Sequence, residues 1–273
     1  MQRVYNIRTK YTSSWQSTHP HGRVHILVAK GTSLGESMDI HFYLENYDYF
    51  IFDLYGTLVD IHTDEWAEET WLKWMSYLDS KGIKHPGLMD FREEFFATDK
   101  AYREKPTPYT YPEIEILEVY DELFTKYGNE KIPKKELSEI SYEFRKCSLE
   151  YKRLFDSVED FLEILHRTGK KVYILSNAQS SYTLPEILEL GLDKMTDDFI
   201  MSSDFRVMKP DKAFFDEIVR RNNIEAERAL MIGDSYDNDY QGAKNYGMGG
   251  LWLYGDDAPN LIYRRFVEDY VAK

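Results

Sequence analysis

From residue 47 onward, apolar and polar positions alternate in a regular way. Residues 47–54 form a short aromatic and β-branched run that ends at Asp53-Leu54, the pattern of a strand buried on both faces. Residues 63–150 read differently. Trp66, Thr70, Trp71, Trp74, Met75 and Leu78 recur at helical spacing up to Gly82, and Phe91, Phe95 and Phe96 mark a second helix. The proline-rich stretch 106–112 breaks the chain. Ile114, Leu117, Tyr120, Leu123 and Phe124 then mark a third helix, and 134–149 a fourth. Beyond Asp156, helices at 158–168, 184–190, 212–222 and 240–246 alternate with strands at 171–175, 198–202, 228–232 and 250–254.

Strand and helix alternating at this spacing predict right-handed crossovers and a parallel sheet covered on both faces. The expected fold is therefore α/β, a doubly wound Rossmann-like core from 38–61 and 151–273, interrupted after its first strand by an all-helical domain at 62–150. Residues 1–37 stand apart. They carry Arg3, Arg8, Lys10, Arg23 and Lys30 against the single acid Glu36, and they show no sustained period. This stretch reads as a disordered upstream extension that adds nothing to the fold. Its histidines, His19, His21 and His25, read as solvated.

Charge narrows the partners. With 48 acidic and 34 basic residues and a formal charge of −14, the surface repels phosphate backbones. Nucleic acid and anionic membrane are thus poor partners. No apolar run approaches the roughly 20 residues that span a bilayer. The single cysteine, Cys147, cannot form an internal disulfide, which points to a reducing, cytoplasmic setting.

In an open parallel sheet, ligands lie beyond the carboxyl ends of the strands. The residues at those ends here are Asp53-Leu54-Tyr55-Gly56-Thr57-Leu58, Ser176-Asn177, Lys209-Pro210 and Gly233-Asp234-Ser235, with Asp239 five positions past Asp234. Carboxylates, a hydroxyl and an ammonium at one sheet edge suit an anionic substrate and Mg²⁺, which favours a few carboxylate oxygens and retains several waters. The order DxxGTL, SN, KP, GDSxxxxD resembles the haloacid dehalogenase-like hydrolase superfamily over roughly 47–260, and the helical insertion resembles its type-I cap.

The resemblance implies Asp53 as a nucleophile that forms an aspartyl ester. It implies Ser176 as a hydrogen-bonding group for the transferred group, and Lys209 as the charge that stabilises it and Asp53. Asp53, Asp234 and the backbone carbonyl of Tyr55 would hold Mg²⁺, Asp239 would ligate it directly or from behind or hold Lys209, and Gly56, Thr57 and Asn177 would border the substrate. One position departs from the superfamily's phosphatases. Where they carry a second Asp as general acid and base, this chain has Tyr55, a poor acid near neutral pH with an ordinary pKa of about 10. That residue resembles the 2-haloacid dehalogenases, whereas Gly233-Asp234-Ser235 and Asp239 resemble the metal-dependent phosphatases.

Three readings follow: a Mg²⁺-dependent phosphatase for a small phosphorylated metabolite, in which Tyr55 either serves catalysis at a lower rate, favours a good leaving group or only packs; a carbon–halogen hydrolase; and a phosphate-binding protein with little turnover. The intact nucleophile weighs against the third, and the phosphatase leads. Arg103, Lys105 and Arg145 are candidate contacts for a second anionic group on the substrate. Gly56 and residues 60–62 fall where a hinge between the two domains would lie.

Overall fold

A computed structural model describes residues 27–28 and 39–272. The chain runs through β1 (Leu27–Val28), α1 (Ile40–Asn46), β2 (Tyr49–Phe52) and β3 (Val59–Thr63). Four helices follow: α2 (Glu68–Ser80), α3 (Leu88–Arg103), α4 (Ile116–Lys126) and α5 (Lys134–Ser148). The path then returns through β4 (Leu149–Leu154), α6 (Val158–Arg167), β5 (Lys171–Ser176), α7 (Ser180–Glu189), β6 (Asp198–Met201) and α8 (Ser202–Phe205). It ends with α9 (Lys212–Asn222), β7 (Ala229–Gly233), α10 (Gly242–Tyr246), β8 (Gly249–Trp252) and α11 (Ala258–Val271).

Five strands form the parallel sheet β8-β7-β2-β5-β6, and β1 adds antiparallel at the β8 edge. The first strand of the repeating pattern, β2, therefore lies in the middle, flanked by β5 and β7. Its side chains alternate across the sheet, as a period of two requires. Phe50 and Phe52 enter the core layer under α6 and α11, with Phe161, Tyr263 and Phe266. Ile51 enters the opposite layer, with Phe214, Phe215 and Ile218 of α9. The same alternation holds in β5 and β7, which buries all three strands on both faces.

The helical insert has its own core. Trp71, Trp74, Phe91, Phe95 and Phe124 are buried there, and Trp74 donates its indole N–H to the Ile140 carbonyl. Trp66 and Tyr111 remain exposed, and Trp66 stacks on Phe96.

The structure differs from the sequence expectation at four places. Within the stretch read as an extension, Leu27 pairs with Trp252 and Val28 with Leu251, so these two residues do contribute to the sheet. The other residues of 1–38, including His19, His21 and His25, lie outside the described residues. Helix α1 precedes β2, and α11 follows β8; neither was expected. The residues at the two domain junctions form an antiparallel ribbon, β3 against β4, rather than a bare hinge and a longer helix. β3 is short, with Val59 and Ile61 alternating with Asp60 and His62, whereas β4 is mostly polar and exposed, and charged pairs such as Arg153–Asp60 (2.9 Å) cross between them. Finally, the expected helix 240–246 begins as a π-turn at Tyr236–Gln241.

Asp48 ties the amino-terminal ends of the central strands together at the edge opposite the motifs. Its carboxylate meets Arg228 Nε at 2.8 Å and Lys170 Nζ at 2.9 Å. The hydrogen bonds from Arg228 and then Lys170 hold its pKa down to about 2. A carboxylate lowered in the folded state stabilises above its unfolded pKa of about 4 and loses that contribution as pH falls towards 2. The pair is half exposed, so solvent limits the effect to about 1 kcal/mol. Urea unfolding of Asp48→Asn against the parent should therefore show a difference at pH 6 that disappears near pH 2. A constant difference would contradict the ion-pair account.

Candidate active site

The motifs converge beyond the carboxyl ends of β2, β5 and β7. Asp53 follows β2 directly, and its N–H bonds the Ile232 carbonyl of β7, so the sheet continues to Asp53 itself. The chain then turns sharply. Gly56 has φ +79°, and a Cβ there would fall 2.6 Å from Asp234 Oδ2, so glycine is required by both backbone and space. At Gly233 a Cβ would meet Asp239 Oδ2 at 2.2 Å. These two glycines let three carboxylates approach: Asp53, Asp234 and Asp239 each offer an oxygen within 4.8 Å of the others.

Lys209 holds this group together. Its ammonium is 2.8 Å from Asp53 Oδ1, 2.8 Å from Asp239 Oδ1 and 2.6 Å from the Leu175 carbonyl, with its side chain 1% exposed. Burial alone would lower its pKa, but Asp239 and Asp53 outweigh that and raise it, so the ammonium stays charged. Asn177 fixes the lysine's backbone from both sides. Its amide donates to the Lys209 carbonyl (2.9 Å), and its Oδ1 accepts the Lys209 N–H (2.8 Å). Asn177 is thus committed to positioning Lys209, where the sequence pointed to substrate.

Asp239 is buried. Its Oδ2 accepts the Ser235 N–H (2.9 Å), and the π-turn aims the side chain inward. Asp234 has an exposed outer edge, but its carboxylate leans on Gly56. Loss of water, then the neighbouring Asp53 and Asp239, push it up to about 8. Such crowding of like charges is what a divalent cation would relieve, and the donor set suits Mg²⁺. Ser176 ends β5 and is buried. Thr57 is fully buried; its Oγ1 has no hydrogen-bond partner among the described residues, while its carbonyl accepts the Tyr263 hydroxyl of α11 at 3.1 Å.

Tyr55 turns elsewhere. Its hydroxyl donates to Glu186 Oε2 and lies 3.1 Å from Thr183 Oγ1, both on α7. Burial first, with Glu186 adding to it, raises its pKa well above the ordinary tyrosine value. Arg145 of the insert lies over the Tyr55 ring at 5.2 Å and bonds Glu186 Oε1 at 2.9 Å and Glu65 at 3.2 Å. Arg103 pairs with Asp99 (2.9 Å) and Glu113 (3.3 Å). Lys105 sits over the Tyr102 ring at 3.1 Å. The cations expected to meet a second anionic group are therefore engaged within the protein.

The insert also touches the core outside its ribbon. Pro112 bridges Val207, the Met208 N–H bonds the Tyr111 carbonyl, and Gln179 bonds both Ile114 O and the Ile116 N–H. This contact reaches the residue before Lys209. Glu186, Glu65 and Tyr263 take part in the site's architecture without having been singled out in sequence. Each acts through a partner far along the chain, which leaves no local signal.

A family model for haloacid dehalogenase-like hydrolases matches residues 47–247. The chain belongs to this family. The glyceraldehyde 3-phosphate phosphatase of Methanothermobacter thermautotrophicus is 28% identical over 127 residues, covering 46% of this chain and 55% of that protein. The chain thus spans about half the length of that curated relative. The pyrimidine 5'-nucleotidase PynA of Streptococcus pneumoniae is 23% identical over 211 residues, covering 76% of this chain and 83% of that one. Among solved structures, a 2-haloacid dehalogenase from Pseudomonas syringae superposes with a TM-score of 0.55 at 20% identity, over 76% of this chain and 86% of that one. That likeness confirms the shared fold. Among the described residues, no helix is long and apolar enough to cross a membrane.

The Tyr55 geometry makes a clear prediction. Tyr55→Phe removes a buried hydrogen bond to Glu186 and should lower stability by about 1–3 kcal/mol in denaturant unfolding. Turnover per folded molecule should fall less than about tenfold. A loss of about 10²–10⁴-fold, as for a general acid, would contradict the packing role.

Proposed function

We propose that this haloacid dehalogenase-like protein is a Mg²⁺-dependent phosphatase acting on a small phosphomonoester through an aspartyl phosphate on Asp53. The observation that carries this reading is the crowding of Asp53, Asp234 and Asp239 within 4.8 Å around a buried Lys209. Three carboxylates facing one ammonium leave an excess of negative charge that suits a divalent cation. Asp53, Asp234 and the Tyr55 carbonyl would hold the ion, with Asp239 held behind by Lys209. When bound, Mg²⁺ supplies positive charge that offsets the carboxylates and the phosphoryl oxygens. The names of the phosphatase and nucleotidase relatives support the same substrate class.

In this scheme Lys209 keeps Asp53 Oδ1 in place, which leaves Oδ2 to attack phosphorus. The new Asp53–phosphorus bond forms as the bond from phosphorus to the substrate oxygen breaks, and the departing alkoxide takes a proton from solvent. Water then attacks the phosphorus, which frees phosphate and restores the Asp53 carboxylate. Ser176 and the unpartnered Thr57 hydroxyl would bond phosphoryl oxygens. With Tyr55 committed to α7, no side-chain acid stands at its position, so substrates with good leaving groups should react fastest.

That same Tyr55 favours a second reading, carbon–halogen hydrolysis, because halide leaves without a proton. Asp234 weighs against it: a haloacid's carboxylate would approach an already crowded set of acids.

Phosphate release from acetyl phosphate and p-nitrophenyl phosphate should require Mg²⁺, stop with EDTA and fall more than about a thousandfold in Asp53→Asn. Release unaffected by that substitution would overturn the mechanism. Chloride release from 2-chloropropionate, with no phosphate release, would select the dehalogenase reading.

A further inference from the structure

Lys209 is bracketed by contacts with the helical insert. Ahead of it, the Glu113 N–H bonds the Arg206 carbonyl at 3.0 Å, the Met208 N–H bonds the Tyr111 carbonyl at 3.0 Å, and Pro112 bridges Val207 between them. After it, Asp211 Oδ2 accepts the N–H groups of Thr110 (2.9 Å) and Tyr111 (3.3 Å), while Oδ1 accepts the Ala213 N–H and so caps α9. Asn177 holds the peptide groups of Lys209 itself.

Arg206 is the strained point of this segment. Its φ is +61°, in the left-handed region, which a residue with a β-carbon keeps only where its surroundings impose it. The groups that hold Arg206 come from the insert. Its carbonyl meets the Glu113 N–H, and its guanidinium meets both oxygens of Glu118 on α4, at 2.7 and 3.1 Å. The ion pair is half exposed and weak by itself, so the backbone bond carries most of the hold. Three positions further on stands the ammonium that fixes Asp53.

We propose that Arg206 is a positioning residue: its left-handed backbone, imposed by Glu113 of the seated insert, sets the path of residues 206–208 and thereby aims the Lys209 ammonium at Asp53. The insert thus helps to orient Asp53 without touching it. As a statement about catalysis, this rests on the phosphatase reading.

Two substitutions separate backbone from side chain. Arg206→Gly loses the Glu118 pair but adopts the left-handed conformation freely, whereas Arg206→Ala loses the pair and keeps a β-carbon that disfavours it. With acetyl phosphate, kcat should fall about three- to tenfold in Arg206→Ala and less than about twofold in Arg206→Gly, with KM within about twofold of the parent in both. Amide exchange without substrate should quicken in peptides 110–116 and 206–212 of Arg206→Ala, stay near the parent in Arg206→Gly, and leave residues 171–176 unchanged in both. Equal kcat in the parent and Arg206→Ala would overturn the proposal, as would a loss in Arg206→Gly as large as in Arg206→Ala. So would faster exchange confined to 110–116. A parent protein inactive on acetyl phosphate would overturn the phosphatase reading, and the exchange comparison, which needs no substrate, would still decide the coupling.

Discussion

A buried ammonium is costly unless several acceptors replace its water, and Lys209 has three: Asp53, Asp239 and the Leu175 carbonyl. Each acceptor comes from a different strand end, β2, the turn after β7, and β5. The arrangement requires the strands in the order in which the sheet sets them, with β2 in the centre. It also requires Gly56 and Gly233, because any side chain there would collide with Asp234 or Asp239. Asn177 adds a clamp on the lysine's own peptide. Fold and site are therefore one problem: the ion pairs that hold Asp53 also join three segments far apart in sequence.

Around this centre a second network joins the insert to the core. Glu186 accepts from Tyr55 and Arg145, and Arg145 reaches Glu65 in the link between β3 and α2. Tyr55 lies two positions after Asp53, yet its hydroxyl faces α7. The contact at residues 110–116 adds backbone hydrogen bonds next to Lys209. Movement of the insert would therefore disturb the loop that carries the lysine, so the ribbon β3–β4 is not the sole restraint on the relation between insert and core.

Much of this was readable in the residues. The alternation of strands and helices predicted the doubly wound core, and the motifs at four strand ends predicted the meeting of Asp53, Lys209, Asp234 and Asp239. Features without a local period escaped. In the β3–β4 ribbon, Val59 and Ile61 of β3 do alternate with Asp60 and His62, but β4 is mostly polar and exposed, so only one strand carries the signal. Helix α11 places Tyr263 under Thr57 through a bond spanning 206 residues, and Tyr55 finds Glu186 across 131. The identity of a partner at that distance is not encoded in spacing. Asn177 shows the same limit: the resemblance implied that it borders the substrate, whereas its side-chain hydrogen bonds go to a backbone 32 positions away.

The central claim is that Asp53 Oδ2 becomes covalently bonded to phosphorus. Quenching the protein during turnover of acetyl phosphate and reducing it with borohydride would convert an aspartyl phosphate to homoserine, which peptide mass spectrometry locates. The account predicts homoserine at position 53, dependent on Mg²⁺. An unmodified Asp53 under turning-over conditions, or modification at another carboxylate, would contradict it.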